Sequence, residues 1–248
     1  MAPATPGGLS YEAEGSTVVE ARGAVKPSAF WRLAFAQAAE RDNRWRDDTA
    51  EEAFWRDYAP GYDERSPLAQ RADMLVTGLQ ALLRPADRLL EIGPGTGAFT
   101  QRIAGHVGEI AGVEPSMAMR AELLRGWQAR FGTPPRLWSC RWEDAPEWEA
   151  DVVFGCNAFY RMEDIAASLL KMQRCAARCV VLVQSVGAPY APPLHVRCEG
   201  CDRERERAHA LSDVLEELGI VHRLRLYSVE RALGVWGDVA MIDWKTGR

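Results

Sequence analysis

The sequence predicts an α/β protein: a mostly parallel sheet covered by helices on both faces, preceded by a helical cap. Three observations carry this expectation. Short apolar runs alternate with helix-period segments from Arg88 to Ser185. The runs are continuously apolar, as strands buried on both faces are. A glycine-rich turn in RLLEIGPGTGAFT (88–100) joins the first run to the helix after it. A chain of 248 residues is long enough to bury a large core in one domain.

Residues 1–27 are rich in Gly, Pro, Ala and Ser and read as a loose N-terminal arm. Residues 28–84 read as the helical cap. SAFWRLAFAQAAERDNRW has apolar residues at helical spacing, with Ser28 as its N-cap. TAEEAFWRDYAPGYDERS is a second helix with Thr49 as N-cap, stopped at Pro60-Gly61. PLAQRADMLVTGLQALL is a third, ended by Arg84-Pro85.

Residues 85–248 form the body. RLLEIG is a strand, GAFTQRIAGHV a helix, EIAGVEP a strand, and SMAMRAELLRGWQARF a helix opened by Ser116. PRLWSC and ADVVFGCNA are strands, MEDIAASLLKMQRCAA is an amphipathic helix, and RCVVLVQS is a strand. The pattern then changes. VGAPYAPPLHVRCEGC is a Pro-rich connection, a lid over about 186–202, and DRERERAHALSDVLEELG is a helix ended by Gly219. IVHRLRLYSV and GDVAMIDWKTG are two further strands, an antiparallel edge on the parallel sheet.

The net charge of −5 argues against a nucleic-acid-binding surface, so no nucleic-acid partner is expected. The run DRERERAHA reads as the solvated face of a helix. No apolar stretch approaches the ~20 residues a membrane helix needs, so no membrane partner is expected either. The N-terminus lacks the basic and apolar segments of a secretory signal, and six cysteines without one suggest reduced thiols in a cytoplasm. The oligomeric state is undetermined, with a homodimer left open.

A glycine turn between a strand and a helix lets a backbone approach a ligand at free N–H groups that favour anionic parts of it. A nucleotide-like cofactor is therefore expected there. Gly93, Gly95 and Ala98 satisfy G-x-G-x-x-G/A; Gly93, Gly95 and Gly97, with Glu91 ahead of them, satisfy E-x-G-x-G-x-G.

LLEIGPGTGAFT and the following IAGVEPS resemble the glycine motif and second-strand end of the class I S-adenosylmethionine-dependent methyltransferases. The resemblance runs from about Phe54 to Ser185. It implies a Rossmann-like fold with strand order 3-2-1-4-5-7-6, the seventh strand antiparallel. It implies S-adenosyl-L-methionine (SAM) as methyl donor and S-adenosyl-L-homocysteine (SAH) as product. On that resemblance Glu91, Gly93, Pro94, Gly95, Thr96 and Gly97 form the donor turn. Glu114, beside Pro115, binds the ribose hydroxyls, where a charged acceptor suits two O–H donors. Tyr58 and Tyr62, from FWRDYAPGYDE, line the methionine end, where aromatic faces suit a sulfonium. Glu143 or Asp144 accepts the adenine amino group, with Trp142 over the ring. CNAFYRMED places Asn157, Tyr160 and Arg161 between donor and acceptor; Phe159 could join them or belong to the core.

An acid about 20 residues after the glycines also fits an NAD-linked oxidoreductase, which is the alternative enzyme reading. No tyrosine here has a lysine four residues on, which removes the short-chain dehydrogenases. A non-catalytic SAM-binding protein is the alternative of another class. In HVRCEGC, His195, Cys198 and Cys201 lack the second ligand pair of a structural zinc site, so no metal is expected. His195 is nonetheless an acceptor-contact candidate, on a thiol-bearing lid. The acceptor is expected to be a small molecule.

Overall fold

The computed structural model describes residues 25–71, 73–188, 191–198, 201–232 and 234–247. The expected arm falls almost wholly outside them, as does the side chain of Cys201. Helix α1 (Pro27–Arg41) buries Trp31, Ala34 and Phe35 at helical spacing. Burying a large apolar side chain of this kind contributes about 1.5–3 kcal/mol. The Trp31 indole donates to the Met162 carbonyl at 2.8 Å, which spares it an unpaired buried N–H. Ser28 lies inside the first turn, after the N-cap Lys26. Instead of capping α1, its backbone N–H and hydroxyl bind the Glu217 carboxylate, each at 2.8 Å.

Helix α2 (Asp48–Tyr58) is capped by Asp47, whose carboxylate accepts from the Thr49 and Ala50 N–H groups; Thr49 is not the cap. An aspartate two residues earlier reaches the free N–H groups that a residue already inside the helix cannot. Gly61 turns the chain in the left-handed region (φ 73°) into the short α3 (Tyr62–Arg65). Helices α4 (Pro67–Arg71) and α5 (Asp73–Gln80) follow.

The body opens with β1 (Arg88–Ile92), α6 (Thr100–Ile103) and β2 (Glu109–Val113). Next come α7 (Met117–Phe131), β3 (Arg136–Trp138) and β4 (Ala150–Cys156). Then come α8 (Ile165–Cys175) and β5 (Ala176–Ser185). Ser116 caps α7 through Met119 N–H, as the sequence suggested, and Asp164 caps α8.

The expected loop after β5 is instead an antiparallel hairpin, β6 (Leu194–Cys198) with β7 (Cys201–Arg205). DRER is therefore strand, and α9 begins only at Arg207, running to Glu217. The hairpin lies against α1, where the Gln37 side-chain amide both donates to and accepts from the Arg197 backbone (2.9 and 2.8 Å). Finally β8 (Arg223–Ala232) and β9 (Val235–Lys245) complete a seven-stranded sheet in the order β3-β2-β1-β4-β5-β9-β8.

Strands β1 to β5 are parallel, and β9 is antiparallel to both β5 and β8. Alternation within the apolar runs builds two cores. Leu90, Val153, Leu182 and Ile242 face α1, α8 and α9, while Leu89, Val152, Val181 and Met241 face α5, α6 and α7. With both faces covered, the open ground for a ligand is the carboxyl edge of the parallel strands. No helix among the described residues is long and apolar enough to cross a membrane.

Candidate functional site

At that edge lies a cavity of about 420 Å³, within the range of small-molecule sites. Its floor is the turn between β1 and α6. Gly93, Gly95 and Gly97 all adopt positive φ (65°, 58° and 85°), where other L-residues are strained. At Gly93 space also matters: a Cβ there would sit 2.6 Å from the Ala158 Cβ. The first glycine thus lets the turns after β1 and β4 meet.

Glu114 follows β2 and lines the cavity, 7% exposed. Gly95 N–H donates to Oε2 at 3.0 Å and Ser116 N–H donates to Oε1 at 2.9 Å, so both oxygens are aimed by backbone. Burial pushes its carboxyl up to about 7, against the lowering effect of those two hydrogen bonds. Glu91, at the end of β1, accepts from the Thr100 hydroxyl at 2.7 Å. Burial raises it too to about 7, with the Glu114 charge adding to the shift.

One wall comes from α2. Asp48, Glu51, Glu52 and Trp55 recur at helical spacing, share one face, and all line the cavity. The three acids reach across to the body. Asp48 accepts from the Arg161 guanidinium at 2.7 Å. Glu51, 5% exposed, accepts from the Tyr160 hydroxyl, from Trp55 Nε1 at 2.7 Å and from Arg44 Nε at 2.9 Å. Glu52 accepts from the Met117 and Ala118 N–H groups at 3.1 and 3.0 Å, meeting the positive end of α7. From α3, Asp63 receives the Thr96 hydroxyl of the glycine turn.

Of the residues singled out from sequence, Tyr62, Glu91, Gly93, Pro94, Gly95, Thr96, Glu114 and Pro115 line this one cavity. So do Trp142, Glu143, Asp144, Asn157, Tyr160 and Arg161. Gly97 is not part of the lining; it turns the chain behind it, packed against Leu123. Tyr58 does not line it either, because its ring stacks on Phe54 (5.3 Å, 19°) with the Arg65 guanidinium over it at 4.4 Å.

Trp142 is 3% exposed and donates to the Ser168 carbonyl at 3.2 Å. Asn157 holds a positive φ of 51°, rare for a residue with a side chain, and its amide exchanges two hydrogen bonds with Ser185. Phe159 is fully buried core.

His195 sits on the β6–β7 hairpin beside Asp202, and among the described residues none of that hairpin lines the cavity. The hairpin is committed to α1 rather than to the carboxyl edge. No three His, Cys, Asp or Glu side chains converge to hold a metal among the described residues.

Sequence reasoning missed Asp48, Glu51, Glu52 and Trp55. Their repeat on one helix face was readable, yet the same repeat describes any solvated helix side. Cys140 and Cys156 also line the cavity, and burial pushes both thiols up, which keeps them protonated.

No family model matches the chain. A SAM-dependent methyltransferase from Aquifex aeolicus superposes with a TM-score of 0.59 at 14% identity, covering 77% of this chain and 98% of that one. The magnesium protoporphyrin IX methyltransferase of Synechocystis PCC 6803 with bound SAH superposes with a TM-score of 0.57 at 16% identity, covering 81% and 100%. The fold is that of the class I SAM-dependent methyltransferases.

Within this methyltransferase fold a short stretch also matches in sequence. Over 52 residues, 21% of this chain, it is 48% identical to ribosomal RNA small subunit methyltransferase A of Synechococcus elongatus. A second Synechococcus protein of the same name matches equally. The chain spans only 17% of the length of these curated relatives. They nevertheless overturn the expectation of no nucleic-acid partner, since by name they act on ribosomal RNA. Net charge is an average over the surface and does not decide what one patch binds.

Proposed function

We propose that this protein is a SAM-dependent methyltransferase, with residues 28–84 as a cap over a catalytic body at 85–248. One observation carries the reading: the Glu114 carboxylate, held by two backbone N–H groups, stands in the cavity beside a turn whose glycines hold positive φ. A carboxylate so aimed suits the paired hydroxyls of a ribose. The turn at Gly93–Thr96 leaves backbone exposed for the donor's amino-acid end. Trp142 with Glu143 or Asp144 would hold the adenine, and Tyr62 would offer a ring face near the sulfonium.

When bound, SAM supplies an already activated methyl group, so the protein contributes binding and alignment. Alignment alone lowers such a barrier by roughly 7–11 kcal/mol when the reacting atoms are held at near-attack distance. The α2 wall closes one side of the cavity, and Asp48 fixes Arg161 while Glu51 fixes Tyr160.

A small-molecule acceptor is supported by the walled cavity. An RNA acceptor is the second reading, favoured by the curated relatives. Calorimetry with SAM, SAH and NAD tests the donor: binding of NAD in preference to SAM sinks the proposal. Release of SAH in the presence of candidate acceptors separates an enzyme from a binding protein.

A further inference from the structure

The polar groups on the α2 side of the cavity are not evenly mixed. The Tyr160 hydroxyl and the Trp55 indole N–H both point at Glu51. The Arg161 guanidinium donates to Asp48 and to the Trp45 carbonyl. Arg141 donates to the Arg161 carbonyl and to Glu143. These donors are thus engaged by acceptors of the protein itself. Arg141 and Arg161 line the cavity as well, each paired with an acid, and the lining acids Asp48, Glu51, Glu52, Glu143 and Asp144 outnumber them beside the aromatic rings of Trp55, Tyr62 and Tyr160.

Trp55 and Tyr62 stand edge-on to each other, 6.1 Å apart at 73°, forming a corner. Lone pairs and ring faces attract a positive N–H donor, and they repel a phosphate or carboxylate that finds no donor of its own. Arg44, the cation paired with Glu51, is not part of the cavity lining.

Resting on the methyltransferase reading above, we propose that the acceptor is an amine that enters as a cation and is held by Tyr160 and the Trp55–Tyr62 corner. Glu51 is then a positioning residue: by accepting the Tyr160 O–H hydrogen bond it leaves the phenol oxygen only able to accept, and its negative charge favours a cation beside that ring. For transfer, the ammonium releases one proton to water and its freed lone pair forms the C–N bond. The methyl C–S bond breaks with its pair leaving on sulfur, so SAM becomes SAH and the product is the methylated ammonium.

The test uses three probes alike except in charge, benzylamine, benzyl alcohol and benzoate, titrated calorimetrically into the SAH-loaded protein near neutral pH. Benzylamine is expected to bind at least ~10-fold tighter than the alcohol, with benzoate undetectable. Glu51→Gln is expected to erase that preference while leaving SAH affinity unchanged. Should Glu51→Gln fail to fold, Tyr160→Phe, which keeps the ring, is expected to weaken benzylamine alone.

Equal or tighter binding of the alcohol, the benzoate or an RNA oligonucleotide overturns the proposal, as does a preference that survives both substitutions. Failure of SAH to bind sinks the methyltransferase reading instead. The same titrations on the unloaded chain then still decide the charge preference.

Discussion

The two sides of the cavity are built by different means. The glycine-turn side is a strand, a turn and the next strand end, Glu91 to Glu114, and its geometry is almost all backbone: three positive-φ glycines and two N–H groups aiming one carboxylate. The α2 side is all side chain. Asp48, Glu51 and Glu52 cross to partners at Arg161, Tyr160 and the start of α7, each far away in sequence. Backbone geometry leaves a spacing that can be read; a handshake between distant side chains leaves only an unremarkable acid on a helix.

That contrast explains what the sequence disclosed. Gly93, Gly95, Glu91 and Glu114 were legible because a tight turn at a strand end admits few residue types. The alternation of apolar runs from Leu89 to Val183 likewise disclosed the parallel sheet, because strands covered on both faces have no polar side.

The β6–β7 hairpin was not legible. Leu194 and Val196 do alternate with His195 and Arg197, but the ribbon is exposed on its other face and is held by α1, a partner that local pattern does not reveal. Asp47 and Thr49 are two capping candidates only two residues apart, and only the path of the chain decides between them.

The sharpest way to break the comparison is at Gly93. Gly93→Ala combines a positive φ with a Cβ 2.6 Å from Ala158. We expect a loss of about 2–3 kcal/mol, read as a thermal midpoint lower by roughly 5–10 °C, and SAM binding below detection. An alanine tolerated there would mean that the turn is not built by close backbone approach.

Next in size is Glu114→Ala. Removing an acceptor for two hydroxyl donors should weaken SAM by about 100-fold in a calorimetric titration, with little change in the cap. A change under threefold would move the ribose elsewhere.

The pH dependence is smaller and follows from Glu91 and Glu114, both raised by burial to about 7. A carboxyl raised on folding keeps its proton in the native state while the unfolded chain has lost it. Folding stability should therefore fall as pH rises from about 4.5 to about 7, where the native groups must ionise. SAM binding should run the other way, weakening below about 7, because its hydroxyls need the charged Glu114. Chemical denaturation and titration at pH 5, 6, 7 and 8 read both slopes, and a flat stability profile contradicts the burial argument.

On the α2 side, Glu52→Gln removes the charge at the start of α7, which should cost about 0.5–1 kcal/mol. The effect should show as faster amide exchange in α2 and α7, with the donor turn unchanged. Smallest of all, His195→Ala with Cys198→Ser should alter turnover less than twofold, since their hairpin does not line the cavity. A larger loss would place that hairpin in the chemistry after all.

The antiparallel strand has a consequence for how the protein is made. β5 is flanked by β4 on one side and by β9 on the other, with β8 at the outer edge. While the ribosome works through Val186 to Gly234, one margin of β5 lies open, a run of apolar backbone with nothing to pair with. Such exposed margins recruit the wrong neighbours in a crowded cell. Synthesis that stalls before β9 should therefore yield aggregates rather than a smaller folded protein, and holdase chaperones should be found on nascent chains of that length.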